Sequence, residues 1–129
     1  PLGMVPDAGA IQRLHRRLPY NKAMEMYLLG QRMSAQDAAA FGLVNKVVPK
    51  EQLMETAMAW ANQLADVAPI ALQSVKELLR AIEGDTIQQA FQTIRTTDLP
   101  IYRQMLTSDD ANEGVSAFVG KREADFKGK

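Results

Sequence analysis

The 129 residues fit a single ordinary domain, and a composition that is 47% hydrophobic and 23% charged is that of a globular chain with a core to bury. Lysine plus arginine equals aspartate plus glutamate at 15 each, so the formal net charge is zero, which argues against a basic nucleic-acid binder and a polybasic membrane surface. The chain has no cysteine for disulfides or thiolate chemistry, one histidine cannot build a histidine-rich metal site, and no apolar run approaches the roughly 20 residues of a membrane span.

In chain order, Ile11, Leu14 and Leu18 recur at helical spacing after Asp7, and Pro19 closes that segment. Ala23, Met24, Tyr27 and Leu28 predict a second helix that Gly30 stops. "SAQD" from Ser34 reads as an N-cap opening a short alanine-rich helix that Gly42 ends. "LVNKVVP" then changes period, and residues 43–48 are expected to form one short strand cut off by Pro49.

From there the pattern is helical. Leu53, Ala57, Trp60, Ala61 and Leu64 share one face; Ala71, Val75, Leu78, Leu79 and Ile82 share the next, with Pro69 in a tolerated first-turn position. Asp85 with Gln88 suggests a cap before Ile87, Ala90, Phe91 and Ile94, and Pro100 must break or kink that helical run. Ser108 with Asp109 and Asp110 starts a last helix carrying Val115, Phe118 and Val119, before a basic tail. The expectation is a mainly α chain, without repeats or a dividing linker, some of whose apolar faces are wider than one intramolecular partner would cover.

Few residues invite chemistry. Asp7 stands at a helix entry, where an aspartate ordinarily caps free N–H groups and meets the positive end of the helix dipole. The sharper reading is a general acid/base on a pocket wall, which needs a second proton-handling group that nothing nearby in sequence supplies. "RLHRR" (Arg13 to Arg17) reads as a solvated helix face that includes His15, and Met24, Met54, Met58 and Met105 read as core filler. Lys121 and Arg122 follow Phe118 at the end of the last helix. They either complement the helix dipole or meet a phosphate beside an apolar wall.

Taken together, "LGMVPDAGAIQRL", "GQRMSAQDAAAFGLVNKVVP", "APIALQSVKELL" and "DDANEGVSAFVGKREADFKG" resemble, in order and spacing, successive segments of the enoyl-CoA hydratase/isomerase (crotonase) superfamily. The resemblance runs from about Leu2 to the end and covers the family's C-terminal half. It implies the C-terminal helical part of a crotonase-like α/β fold, with residues 1–48 ending the spiral core and 49–129 forming a helical trimerisation region. Pro1 does not fit the residue expected before Leu2 and is read as a cloning scar; the first residues show no charged stretch followed by an apolar one, so no secretory signal is expected.

The resemblance further implies a parent enzyme that hydrates, dehydrates or isomerises an enoyl-CoA thioester. Coenzyme A would be part of the substrate, with no separate cofactor and no metal. Assembly as a trimer or dimer of trimers in the cytoplasm is implied, with neither nucleic acid nor membrane as partner. Asp7, in "PDAG", matches a proton-transferring position of the dienoyl-CoA isomerase branch, and "VPDAGA" also resembles the carnitinyl-CoA dehydratase-like branch. Phe118 and Lys121 match positions that contact the adenosine 3′-phosphate end of coenzyme A. Ala10 stands where many members have glycine, and Gly120 where an acidic residue is common. The glycine-rich oxyanion-hole segments belong to the family's N-terminal half, so this chain alone is expected to be inactive. The alternative is a non-catalytic helical oligomerisation module of the same ancestry.

Overall fold

A computed structural model describes residues 3–129, so the expectations for Pro1 and Leu2 lie outside the described residues. The regular elements among them are helices: α1 (Ala10–Leu14), α2 (Tyr20–Leu29), α3 (Ala35–Ala40), α4 (Leu53–Ala65), α5 (Pro69–Ala81), α6 (Ile87–Thr96), α7 (Pro100–Leu106) and α8 (Asp109–Gly120), with a 3-10 turn at Lys50–Gln52. They fall into two compact units divided after Met54.

In the first unit α1 is shorter than the apolar spacing predicts. The Arg16 and Arg17 amides donate to the Arg13 and Leu14 carbonyls at 3.2 and 3.0 Å, tightening the chain into turns before Pro19, which disfavours helix in the residue preceding it. Leu18 is buried there nonetheless, with Ala23 and Ala38. α2 ends at Gly30 in the left-handed region (φ 63°), as its sequence suggests. Ser34 caps α3, its hydroxyl accepting the Asp37 N–H at 3.0 Å. Gly42 (φ 73°) closes the same helix, with its N–H on the Ala39 carbonyl at 3.0 Å and the Leu43 N–H on Ala38 at 2.8 Å.

That closure corrects the strand expected at 43–48. The Leu43 and Val44 amides both turn back to the Ala38 carbonyl, and no strand occurs among the described residues. Valine spacing supplies β preference, but a strand also needs a neighbour whose donors and acceptors complete the ladder.

In the second unit α5 packs chiefly against α7, around Ile70, Ser74 and Leu99. Pro69 opens α5 and Pro100 opens α7, so Pro100 breaks the run into two helices. Glu77, reaching from α5, caps α7: its carboxylate accepts the Ile101 and Tyr102 N–H groups at 3.3 and 2.8 Å. The cap of α6 lies one residue later than expected. Thr86 and Gln89 exchange backbone and side-chain hydrogen bonds in a capping box, while Asp85 accepts the Thr93 hydroxyl at 2.7 Å. Met54 and Met58, expected in the core, are 68% and 52% exposed. The apolar side chains of Val75, Leu79, Ile87 and Phe91 are also exposed.

The tail does not trail off. Residues after α8 fold back along it, and the buried carboxylate of Asp110 accepts the Lys127 and Gly128 N–H groups at 2.6 and 2.8 Å. The Phe126 ring lies over Gly114 on the same helix.

Candidate functional site

The residues singled out by sequence are divided between the two units. In the first, the apolar lead-in Met4-Val5-Pro6 runs into a turn at Asp7 and Ala8. Gly9 then enters α1 with φ 92°. A side chain on Gly9 would adopt this backbone only with strain, and its Cβ would collide with the Arg13 guanidinium. The turn is fastened by the Ile11 N–H on the Pro6 carbonyl at 3.3 Å and by the Tyr27 hydroxyl, which donates to the Ala10 carbonyl at 2.9 Å.

Asp7 is therefore not the cap of α1. Gly9 holds that position, and no side chain accepts from the helix's free N–H groups. Among the described residues nothing hydrogen-bonds to the Asp7 carboxylate or pairs with it. It stands exposed on an open cleft of about 400 Å³ shared with Met4, Val5, Pro6, Ala8 and Ala10. A carboxylate on an apolar wall with its lone pairs uncommitted is suited to taking or giving a proton. His15 has no place in this cleft's lining; its Nδ1 meets the Ile11 carbonyl at 2.6 Å, closing the end of α1.

In the second unit, Phe118 and Lys121 sit together at the C-terminal end of α8. Phe118 is 86% exposed, with Val115 and Val119 also exposed on that helix. Lys121 is the C-cap, in the left-handed conformation (φ 50°, ψ 42°), its side chain in solvent. An exposed ring and an ammonium one turn apart offer an apolar face and a point charge to an anionic ligand.

The sequence offers Arg122 as a dipole or phosphate partner; it does not show that Arg122 pairs with Glu113 to fix this corner. The Arg122 guanidinium forks onto the Glu113 carboxylate at 2.5 and 2.8 Å, and the Asp125 N–H adds a bond to Glu113 Oε1 at 3.0 Å. The guanidinium foremost, and then the Asp125 N–H, pull the Glu113 pKa down from 4.5 to about 2. The same bond raises that of Arg122. The nine-residue separation of Glu113 and Arg122 gives no signal in a linear reading, because the chain must reverse to join them.

The family model for enoyl-CoA hydratase/isomerase matches residues 1–129. The chain belongs to that family. It is 41% identical over 128 residues to the carnitinyl-CoA dehydratase of Proteus mirabilis, covering 99% of this chain and 49% of that protein. The crystal structure of an enoyl-CoA hydratase from Polaromonas sp. JS666 superposes with a TM-score of 0.78 at 35% identity, over 97% of this chain and 47% of that one. One from Mycobacterium tuberculosis H37Rv gives 0.80 at 30% identity, over 98% and 49%. The chain thus spans about half the length of the curated relatives it matches. The crotonase-like fold and helical character expected from sequence stand; the strand does not. No helix among the described residues is long and apolar enough to cross a membrane.

Proposed function

We propose that this chain supplies the C-terminal half of an acyl-CoA hydratase, dehydratase or isomerase. Asp7 is the acid/base group on the acyl side, and Phe118 with Lys121 receives the adenosine 3′-phosphate end of coenzyme A. The observation that carries the reading is the uncommitted Asp7 carboxylate on its apolar cleft, in a chain whose whole length matches the family. Coenzyme A is part of the substrate, so no separate cofactor enters. The carnitinyl-CoA dehydratases among the relatives favour water elimination from a 3-hydroxyacyl thioester. That lyase chemistry removes a proton beside the thioester carbonyl and expels the hydroxyl as water, with Asp7 carrying one of the protons.

Any of these reactions puts negative charge on the thioester oxygen, and N–H donors aimed at that oxygen carry much of the catalysis; losing one costs about 2.7–4 kcal/mol of barrier. By the family resemblance those donors belong to the other half. We therefore read the 129-residue chain as inactive alone. The exposed apolar faces at Val75 and Leu79 of α5 and at Ile87 and Phe91 of α6 support a homo-oligomer; that it is a trimer or dimer of trimers in the cytoplasm is what the resemblance implies. The same faces would serve a non-catalytic oligomerisation module.

The test joins the chain to the family's N-terminal half and measures turnover of crotonyl-CoA and carnitinyl-CoA, with Asp7→Asn beside the unaltered sequence. Loss of about 10²–10⁴-fold in kcat is expected for an acid/base group. Activity untouched by the substitution removes Asp7 from the reaction. Turnover by the 129-residue chain alone defeats the half-site reading.

A further inference from the structure

Lys121 is the one non-glycine residue with positive φ among the described residues. Helices commonly end in this conformation, but with glycine or asparagine taking it, because a longer L side chain is strained there. The glycine is at hand and unused: Gly120 stands one position earlier, as the last residue of α8, without a positive φ. A chain built for easy helix termination would place the glycine at 121. Strain kept at an exposed lysine, where the neighbouring residue would relieve it, points to a role for that lysine's placement.

Something must hold the turn. The backbone closes it with the Lys121 N–H on the Phe118 carbonyl at 3.3 Å and the Arg122 N–H on Ala117 at 3.1 Å. The side chains then lock the next residue in place: Arg122 forks onto Glu113, and its Nη1 also donates to the Glu123 carbonyl at 3.0 Å. The Asp125 N–H on Glu113 ties the chain beyond to the same carboxylate. Lys121 is thus bracketed by its own helix on one side and by a residue clamped to that helix on the other.

We infer that Glu113 and Arg122 are positioning residues, whose fork keeps Lys121 in its left-handed turn and so presents the ammonium, at the helix end that carries Phe118, to a phosphate-bearing nucleotide. This rests on the reading of Phe118 and Lys121 proposed above. Neither Glu113 nor Arg122 needs to touch the ligand. If removing the fork leaves the turn formed in about one molecule in five, the apparent Kd rises about fivefold.

The experiment titrates the 129-residue chain with adenosine 3′,5′-bisphosphate and follows the Phe118 and Lys121 amides by NMR. The three-bond HN–Hα coupling of Lys121 reports its φ. Thermal melts run in parallel. Lys121→Ala is expected to weaken binding more than about tenfold. Glu113→Gln and Arg122→Gln are each expected to weaken it about fivefold with a changed Lys121 coupling, and the double variant no further, since the two act as one device. Arg122→Lys keeps a cation for Glu113 and leaves the Asp125 N–H on that carboxylate, so it is expected to retain most of the affinity and the Lys121 coupling, and it carries the test should another single variant fail to fold.

Wild-type affinity in Glu113→Gln beside a weakened Lys121→Ala overturns the positioning role and leaves the phosphate reading standing. A folded Arg122→Lys variant as weak as Arg122→Gln overturns it too. Unmoved Phe118 and Lys121 amides in the wild-type titration overturn both.

Discussion

Two helix-end turns carry the candidate residues, and they are held in opposite ways. The turn after Asp7 enters α1 through Gly9 at φ 92°, where the absence of a side chain makes the conformation free of strain. Its fastenings are few: two backbone bonds, from Ile11 to Pro6 and from Gly9 to Asp7, and the Tyr27 hydroxyl on Ala10. The turn after Phe118 leaves α8 through Lys121 at φ 50°, which is strained, and charged clamps fasten the chain beyond it back onto the helix: Glu113 holds Arg122 and Asp125, and Asp110, near the helix start, holds Lys127 and Gly128. Where local sequence encodes the shape, little tertiary support is present. Where the residue resists the shape, the fold supplies the restraint.

The largest effect that can break this comparison lies in the tail. Asp110 is buried and accepts two backbone N–H groups, those of Lys127 and Gly128. Asp110→Ala strands both donors, and hydrogen bonds to a charged group are worth more than neutral ones, so a loss of about 2–3 kcal/mol in urea unfolding is expected. Hydrogen exchange at Lys127 and Gly128 should accelerate in step. Slow exchange at these amides in the variant means that the tail is held by something other than that carboxylate.

Next come two substitutions predicted to move stability in opposite directions. Gly9→Ala puts a side chain at φ 92° and should destabilise by about 1–2 kcal/mol, chiefly through the backbone, since the Arg13 guanidinium it would meet is the end of a flexible side chain. Lys121→Gly removes strain at φ 50° and should stabilise by about 1 kcal/mol, while forfeiting the charge. Paired thermal melts decide the matter. A destabilised Lys121→Gly means that the lysine side chain contributes more to the fold than its backbone costs, and the contrast between the turns fails.

This contrast also explains what was legible in the sequence. Ser34, Gly30, Gly42 and Ser108 announced their helix ends correctly, because a cap is a matter between a residue and its nearest neighbours. Thr86 was missed by one position because Asp85 is an equally good cap by type, and only the reciprocal bond with Gln89 distinguishes them. Residues 43–48 misled because strand formation is decided by a neighbour, not by valine. Met54 and Met58 misled in a related way: helical periodicity reports that a face is apolar, not what covers it. At the candidate sites, Asp7, Phe118 and Lys121 stood out by residue type and resemblance. Glu113 did not, and Arg122 stood out only as a charge for the helix dipole or a phosphate, because the two meet only when the chain reverses.

The smallest expected effect is the most selective. Glu113 has its pKa lowered from 4.5 to about 2 by Arg122 and the Asp125 N–H, so its carboxylate is held more strongly in the folded chain than in the unfolded one. A depressed carboxylate contributes its stability in full above its ordinary pKa and gives it up as pH falls through the folded value. The Lys121 corner should therefore loosen progressively from about pH 4.5 to about pH 2, seen as faster exchange of the Asp125 amide. Because the guanidinium is half-exposed, added salt should shift that loosening to higher pH. The fastenings of the Asp7 turn are backbone groups and a phenol, with no carboxylate or guanidinium among them. Exchange at Ile11 should follow only global unfolding. Equal acid sensitivity at Ile11 and Asp125, ahead of global unfolding, would mean that the two turns do not differ in what holds them.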